Sequence, residues 1–341
     1  MRKISLSVAP LVVSVAFLFA GLAGSVGAQE QAKAINIKAG IGSSLTGSSH
    51  GMGIAKFKEI IEKETSGRIK VQIFPDGQMG NDQSMMDSLK MGSLDMMVTS
   101  TAPIANTTKT FLVFDLPFLF TSEKIADTVL DGPAGQEVLQ TLKGTGLIGL
   151  VYWENGFRNI TNSKRPINTP EDLKGLKIRT MQNPIHLDSF KKWGANPVPL
   201  PFNEVFTALE QKVIDGQENP NTLIYDAGFY EAQKYLTITK HFYSPFVLLI
   251  GQKTWDKLTP ADRTLVQRVA EDTKAYERKV NREFNTKYLD LMVKKGIVLN
   301  VLPPAEVEKF KASSKEIYEK FANDIGKDRL DKIMAEIAKV K

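Results

Sequence analysis

The sequence predicts an α/β protein built from two lobes. Three observations carry that expectation. Strand-like and helix-like periodicities alternate through the first hundred residues, the same alternation resumes after residue 176, and one apolar helical stripe from Pro260 to about Lys295 outruns a single domain. The length of 341 residues agrees, since a domain averages roughly 150.

In chain order, Arg2 and Lys3 precede a charge-free run from Ile4 to Ala28 that ends in small residues. That is the layout of a secretory signal, and Val26-Gly27-Ala28 places cleavage after Ala28. Pro10, the serines and the glycine-rich end argue against an uncleaved membrane anchor. Removing residues 1–28 lowers the formal net charge from +6 to +4 on 313 residues. The charges of both signs are interspersed, so no basic face for nucleic acid is expected.

Ile35 to Ala39 reads as a strand, and His50 to Thr65 as a helix whose Ile54, Phe57, Ile60 and Ile61 recur at helical spacing before Ser66-Gly67. Arg68 to Phe74 alternates as a strand before the turn Pro75-Asp76-Gly77. Met85, Met86 and Leu89 mark a helix, and Leu94 to Thr99 and Gly146 to Trp153 read as strands. The polar turns Thr161-Asn162-Ser163 and Asn168-Thr169-Pro170 then suggest a crossing into a second lobe. There the alternation continues with a strand at Leu176 to Arg179, a proline-bearing edge strand at Pro197 to Pro201, a helix from Asn203 to Lys212, a strand from Val213 to Gly216 and another at Phe246 to Ile250.

Leu265, Val269, Tyr276, Val280, Phe284 and Tyr288 then form one stripe of about 50 Å at 1.5 Å per residue. It steps mostly by four, which favours a helix bridging two lobes over a coiled coil. Two helices, 305–324 and 329–340, close the chain. The expected division is residues 29–155 with 245–284 as lobe I, 156–244 with 285–325 as lobe II, and 326–341 as a C-terminal helix.

The chain has no cysteine, which excludes disulfides, thiolate metal sites and cysteine nucleophiles. Three scattered histidines, His50, His186 and His241, lack zinc-ligand spacing, so no metal is expected. Seven methionines between Met52 and Met97 resemble a copper-binding cluster but fit core filling better. Gly47-Ser48-Ser49-His50-Gly51 matches G-x-S-x-G, yet some seven loop residues separate it from the preceding strand, where a nucleophile elbow needs a tight turn. An exported hydrolase using Ser49 is therefore the weaker alternative. Gly42 to Gly47 has phosphate-loop spacing with Ser48 where lysine must stand.

The unusual feature is a group of polar residues at strand ends of the second lobe: Arg158, Arg179, Glu218 and Asn219. Strand ends in open α/β sheets line ligand crevices, and a guanidinium offers a planar fork for a carboxylate. The runs Gly156 to Arg179 (GFRNITNSKRPINTPEDLKGLKIR) and Gly194 to Pro220 (GANPVPLPFNEVFTALEQKVIDGQENP) resemble the DctP-like solute-binding proteins of tripartite ATP-independent periplasmic (TRAP) transporters, as do SGRIKVQIFPDGQMG and GSLDMMV earlier.

The resemblance implies a Venus-flytrap periplasmic binding protein, with crossing strands and a long inter-lobe helix, that closes on an organic acid without a cofactor or turnover. It implies that Arg179 pairs with the substrate carboxylate, Asn219 partners it, Phe202 packs on the ligand, Arg158 is a second arginine, and Glu218 and His241 support them. Ser100 stands where sialic-acid-binding members keep a glutamate. The run Tyr152 to Arg158 (YWENGFR) is similar to members for sugar acids such as uronates, aldonates and keto-sugar acids, with C4-dicarboxylates the alternative. Ser43, Ser44, His50, Ser100, Glu154, Asn155, Gln182 and Asn183 are the candidates to read hydroxyls. The expected partners are a small DctQ-like and a large DctM-like membrane subunit, and the receptor is expected to be a periplasmic monomer.

Overall fold

The computed structural model describes residues 33–340. The expected signal segment, 1–28, lies outside the described residues, among which no helix is long and apolar enough to cross a membrane. Among the described residues nine strands make one mixed sheet: β1 (Ile35–Ile41), β2 (Ile69–Phe74), β3 (Met96–Ser100), β4 (Leu147–Asn162), β5 (Lys177–Thr180), β6 (Asn196–Pro199), β7 (Gly216–Asn219), β8 (Tyr235–Gly251) and β9 (Val298–Val301). Their order is β2-β1-β3-β8-β4-β7-β5-β6, with β9 on β8.

Each end of this sheet is a small parallel unit. β1 pairs with β2 and β3 in parallel, and β5 pairs with β6 and β7 in parallel. Helices such as Ser49–Glu64 make the crossovers that parallel neighbours require. Between the two units run β4 and β8, antiparallel and far longer than the apolar stretches Gly146 to Trp153 and Phe246 to Ile250 suggest. Both continue through polar residues, so the expected polar turn at Thr161-Asn162 is the end of β4 itself. Their register slips between Glu154 and Gly156, opposite Pro245 and Ser244, and Gly156 there has φ +110°. A slip with an unpaired residue is a bulge, which bends a strand.

The helix Pro260–Lys294 bridges two cores. At its start Val266, Val269 and Ala270 pack in one core with Phe57, Ile61 and Trp153, and near its end Met292 joins another with Ile224 and Leu236. Its middle is buried but polar, with Thr273, Glu277, Arg278 and Asn281, while Tyr276 and Phe284 of the expected stripe are only half-buried. Glu277 Oε2 accepts from the Glu154 amide at 2.8 Å, and Asn281 Nδ2 donates to the carbonyls of Glu154 at 2.8 Å and Asn155 at 3.3 Å. The helix thus holds β4 by its backbone at the bulge.

Smaller expectations fare unevenly. Met85, Met86, Met96 and Met97 are fully buried core residues, whereas Met91 is exposed. The proline strand β6 is the sheet edge, where a missing N–H is tolerated. The helix expected at Asn203 to Lys212 is a 3-10 turn, Phe202–Glu204, followed by Val205–Glu210. β7 begins at Gly216, where the sequence pattern ends it, so Glu218 and Asn219 lie within the strand.

Candidate functional site

The strand ends of both parallel units converge on one cavity. Gly42 and Ser43 follow β1, Ser100 ends β3, Arg179 and Met181 close β5, Asn219 ends β7, and Asn155, Arg158 and Phe246 face in from β4 and β8. His50, Asp82, Val98, Phe202 and Leu223 complete the lining. It opens to solvent, and about 470 Å³ of atom-free space lies within it and its mouth together.

Two buried guanidinium groups dominate its chemistry. Arg179 donates from Nε and Nη2 to the Leu200 carbonyl at 3.0 and 2.7 Å. Arg158 spends Nε and Nη2 on the Glu218 carboxylate, with Nη2 to Oε1 at 2.8 Å, and Nη2 also reaches the Glu218 carbonyl at 2.5 Å. In each arginine Nη1 is buried and has no hydrogen-bond partner among the described residues. Burial and the neighbouring Arg158 charge pull Arg179 down to about 10, against the opposing pull of Glu218 and Asp82. It remains charged at neutral pH, and an anion is what both open donors lack.

Behind Arg158 lies a polar support wholly removed from water. Burial alone would raise the Glu218 carboxyl, but the Arg158 charge and hydrogen bonds from His186 and His241 hold it well below the usual carboxylate range. His241 Nε2 lies 3.2 Å from Glu218 Oε2, and its Nδ1 lies 2.7 Å from Thr239 Oγ1. His186 sits between Glu218 at 3.6 Å and Asp115 at 3.1 Å, and Asn183 Nδ2 donates to Asp115 at 2.9 Å. Burial opposes protonation of His186, yet Asp115 and Glu218 outweigh it and push its pKa up.

On the other wall, His50 packs edge-on against Phe246, ring centroids 4.4 Å apart, and hydrogen-bonds through Nε2 to Ser43 Oγ. With no carboxylate beside it, burial drives His50 down to about 3, so it is neutral. Asp82 accepts from Thr99 Oγ1 at 2.9 Å, and burial raises its carboxyl against the pull of Thr99 and Arg179. Ser100 Oγ meets Ser244 Oγ at 2.9 Å, and Asn155 Nδ2 donates to the same Ser244 oxygen at 3.4 Å.

The cavity therefore brings together Arg158, Arg179, Asn219, Phe202, Asn155, Ser100, His50 and Ser43 of the expected residues. Glu218 and His241 sit behind it. Four expected residues, Glu154, Gln182, Ser44 and Asn183, fall outside the lining. The Glu154 carboxylate is taken by Arg282 Nε at 3.0 Å and Nη2 at 2.6 Å and by Tyr243 at 3.1 Å, so it does not line the cavity. Gln182 is exposed and lies at a separate surface hollow with Asn106 and Asp87. Ser44 is bound to Asp226, and Asn183 is turned to Asp115, so neither lines the cavity. Ser49 is buried, and its Oγ accepts from Asn281 at 2.8 Å, outside the cavity lining.

Sequence reasoning missed Asp82 and Phe246. An aspartate one residue after an asparagine N-cap reads as ordinary helix-start chemistry, and Asn81 does cap that helix by accepting from Ser84 N at 3.0 Å. Phe246 reads as strand core.

Two α/β units joined by crossing strands, with charged donors opening into a shared crevice, define a two-lobed solute-binding protein. The chain belongs to the DctP family: the model of the bacterial extracellular solute-binding proteins, family 7, matches residues 44–324. It is 38% identical over 285 residues to the 2,3-diketo-L-gulonate-binding periplasmic protein YiaO of Escherichia coli, covering 84% of this chain and 86% of that one. Among solved structures it resembles the sugar acid binding protein DctPAm of Advenella mimigardefordensis in complex with galactonate, at 42% identity and a TM-score of 0.89, covering 91% of this chain and 99% of that one. It also resembles a TRAP periplasmic solute binding protein of Polaromonas bound to D-erythronate, at 38% identity and a TM-score of 0.84, covering 88% and 98%.

Proposed function

We propose that the protein captures a sugar acid anion, such as an aldonate, uronate or keto-sugar acid, and delivers it to a TRAP transporter for secondary active uptake. The carrying observation is that Arg158 and Arg179, each with a buried Nη1 that has no partner among the described residues, line one cavity. In this reading they take the ligand carboxylate, with Asn219 beside them. Phe202 packs on the carbon chain, and the polar side chains of the opposite wall meet the hydroxyls. The sugar acids named for three relatives support the class.

The rest of the reading follows from it. The receptor works as a periplasmic monomer after cleavage behind Ala28, docks on a small DctQ-like and a large DctM-like membrane subunit, and performs no chemistry on its ligand. Its lobes divide at the bulge near residues 155 and 245. Isothermal calorimetry with a panel of aldonates, uronates and C4-dicarboxylates tests the ligand class. Binding confined to the C4-dicarboxylates would replace the sugar acid reading, turnover of any panel member would favour the exported enzyme, and no binding at all would sink the receptor reading.

A further inference from the structure

The loop 43–48 fixes which nitrogen of His50 carries the proton. Ser48 Oγ contacts the Ser44 carbonyl at 2.6 Å, and a carbonyl only accepts, so the single hydroxyl proton of Ser48 is committed there. Ser43 Oγ lies 2.8 Å from Ser48 Oγ, and with the Ser48 proton already used Ser43 must be the donor. The remaining contact, Ser43 Oγ with His50 Nε2, then has only one consistent form, in which Nε2–H donates. His50 is 4% exposed and its Nδ1, buried in the cavity wall, has no partner among the described residues.

Resting on the receptor reading above, we infer that His50 is a specificity-determining residue, a neutral imidazole locked by the Ser43–Ser48 hydroxyl relay so that the Nδ1 lone pair accepts a ligand hydroxyl. Asp82, a lining residue the sequence did not single out, adds a second acceptor. The cavity thus offers donors to one carboxylate from the two arginines and lone pairs to the rest of the ligand. A hydroxylated monocarboxylate satisfies both sets. A C4-dicarboxylate brings a second anion to lone pairs, which leaves His50 unpaired and repels Asp82.

The test has two arms. In ligand-free protein labelled with ¹⁵N-histidine, long-range ¹H–¹⁵N correlation should show His50 as the Nε2–H tautomer at neutral pH, with Nδ1 moving upfield when D-galactonate is added. Calorimetry should give at least tenfold tighter binding of D-galactonate than of succinate, and His50→Phe, which keeps the ring but removes the lone pair, should narrow that ratio at least fivefold. Ser43→Ala, which frees Nε2, should narrow it as well. An Nδ1–H tautomer, or equal losses for both acids in His50→Phe, overturns the inference and leaves the receptor standing. Failure of the wild type to bind any acid overturns both. If His50→Phe does not fold, the tautomer and the wild-type ratio still decide.

Discussion

Arg158 on β4 and Glu218 on β7 face each other with no accessible side-chain surface on either, and the contact leaves one arginine nitrogen for the cavity. The carboxylate therefore both neutralises Arg158 and aims it. Glu218→Ala strands a buried guanidinium, and breaking such a pair costs about 3 to 5 kcal/mol. Urea denaturation of the ligand-free protein should show that loss, and an unchanged midpoint would refute the role assigned to the pair.

Arg179 differs, because its other two donors rest on a backbone carbonyl, Leu200, and not on an acid. A bound carboxylate is then its only directly hydrogen-bonded counter-charge. Arg179→Ala should lower affinity at least about a hundredfold, taking 1.4 kcal/mol per decade. Arg179→Lys should also bind poorly, since an ammonium cannot hold Leu200 with two coplanar donors and present a third. Calorimetry that finds lysine equivalent to arginine would show that charge alone suffices.

The pH response has a definite sign. Burial pushes the Glu277 carboxyl up to about 8, from an ordinary value of 4.5, although the Glu154 amide and Ser49 pull the other way. A raised folded-state pKa means the folded protein keeps a proton that the unfolded chain releases near 4.5, so the stabilisation is complete below that pH and fades as pH rises through 8. Wild-type melting temperature should fall between pH 5 and 9 more steeply than that of Glu277→Gln. Parallel profiles would assign the pH dependence elsewhere.

Gly156 occupies the bulge at φ +110°, where a Cβ would stand 3.4 Å from Asn281 Oδ1. Gly156→Ala should destabilise the protein by about 1 to 3 kcal/mol through backbone strain. Thermal denaturation measures it, with Gly144→Ala as control, since Gly144 has φ +85° but no atom within 4 Å of its Cβ. A much larger loss at Gly156 would locate the cost in the clamp by Asn281; equal losses would reduce it to backbone conformation alone.

The parallel units were legible because their strands and helices keep clean apolar periods, as at Ile37, Ala39 and Ile41 or Ile54, Phe57 and Ile61. The two crossing strands were legible only in their apolar halves. Asn155, Arg158, Asn159 and Thr161 are all buried within β4, a polar sequence that no burial pattern anticipates, because these side chains serve the cavity and the network behind it. Arg179 and Asn219 stood out as strand-end polar residues. Asp82 and the His186–Asp115 support did not, since each draws its meaning from partners more than 15 residues away in sequence: Thr99, Arg179 and Glu218.

The position of β8 in the sheet has a consequence for the order of assembly. Residues 235–251 supply the strand that neighbours β3, β4 and β9, so two of those neighbours are made long before it and must wait. Until β8 is in place, β3 has an unpaired edge and β4 has β7 alone, and pairings across such long stretches of chain form slowly. A nascent chain halted before residue 235 holds β2-β1-β3 and β4-β7-β5-β6 but lacks the strand that joins them. The two parts of the sheet thus stay unjoined until more than two thirds of the chain has been made, and the last long strand is the one that makes them a single body.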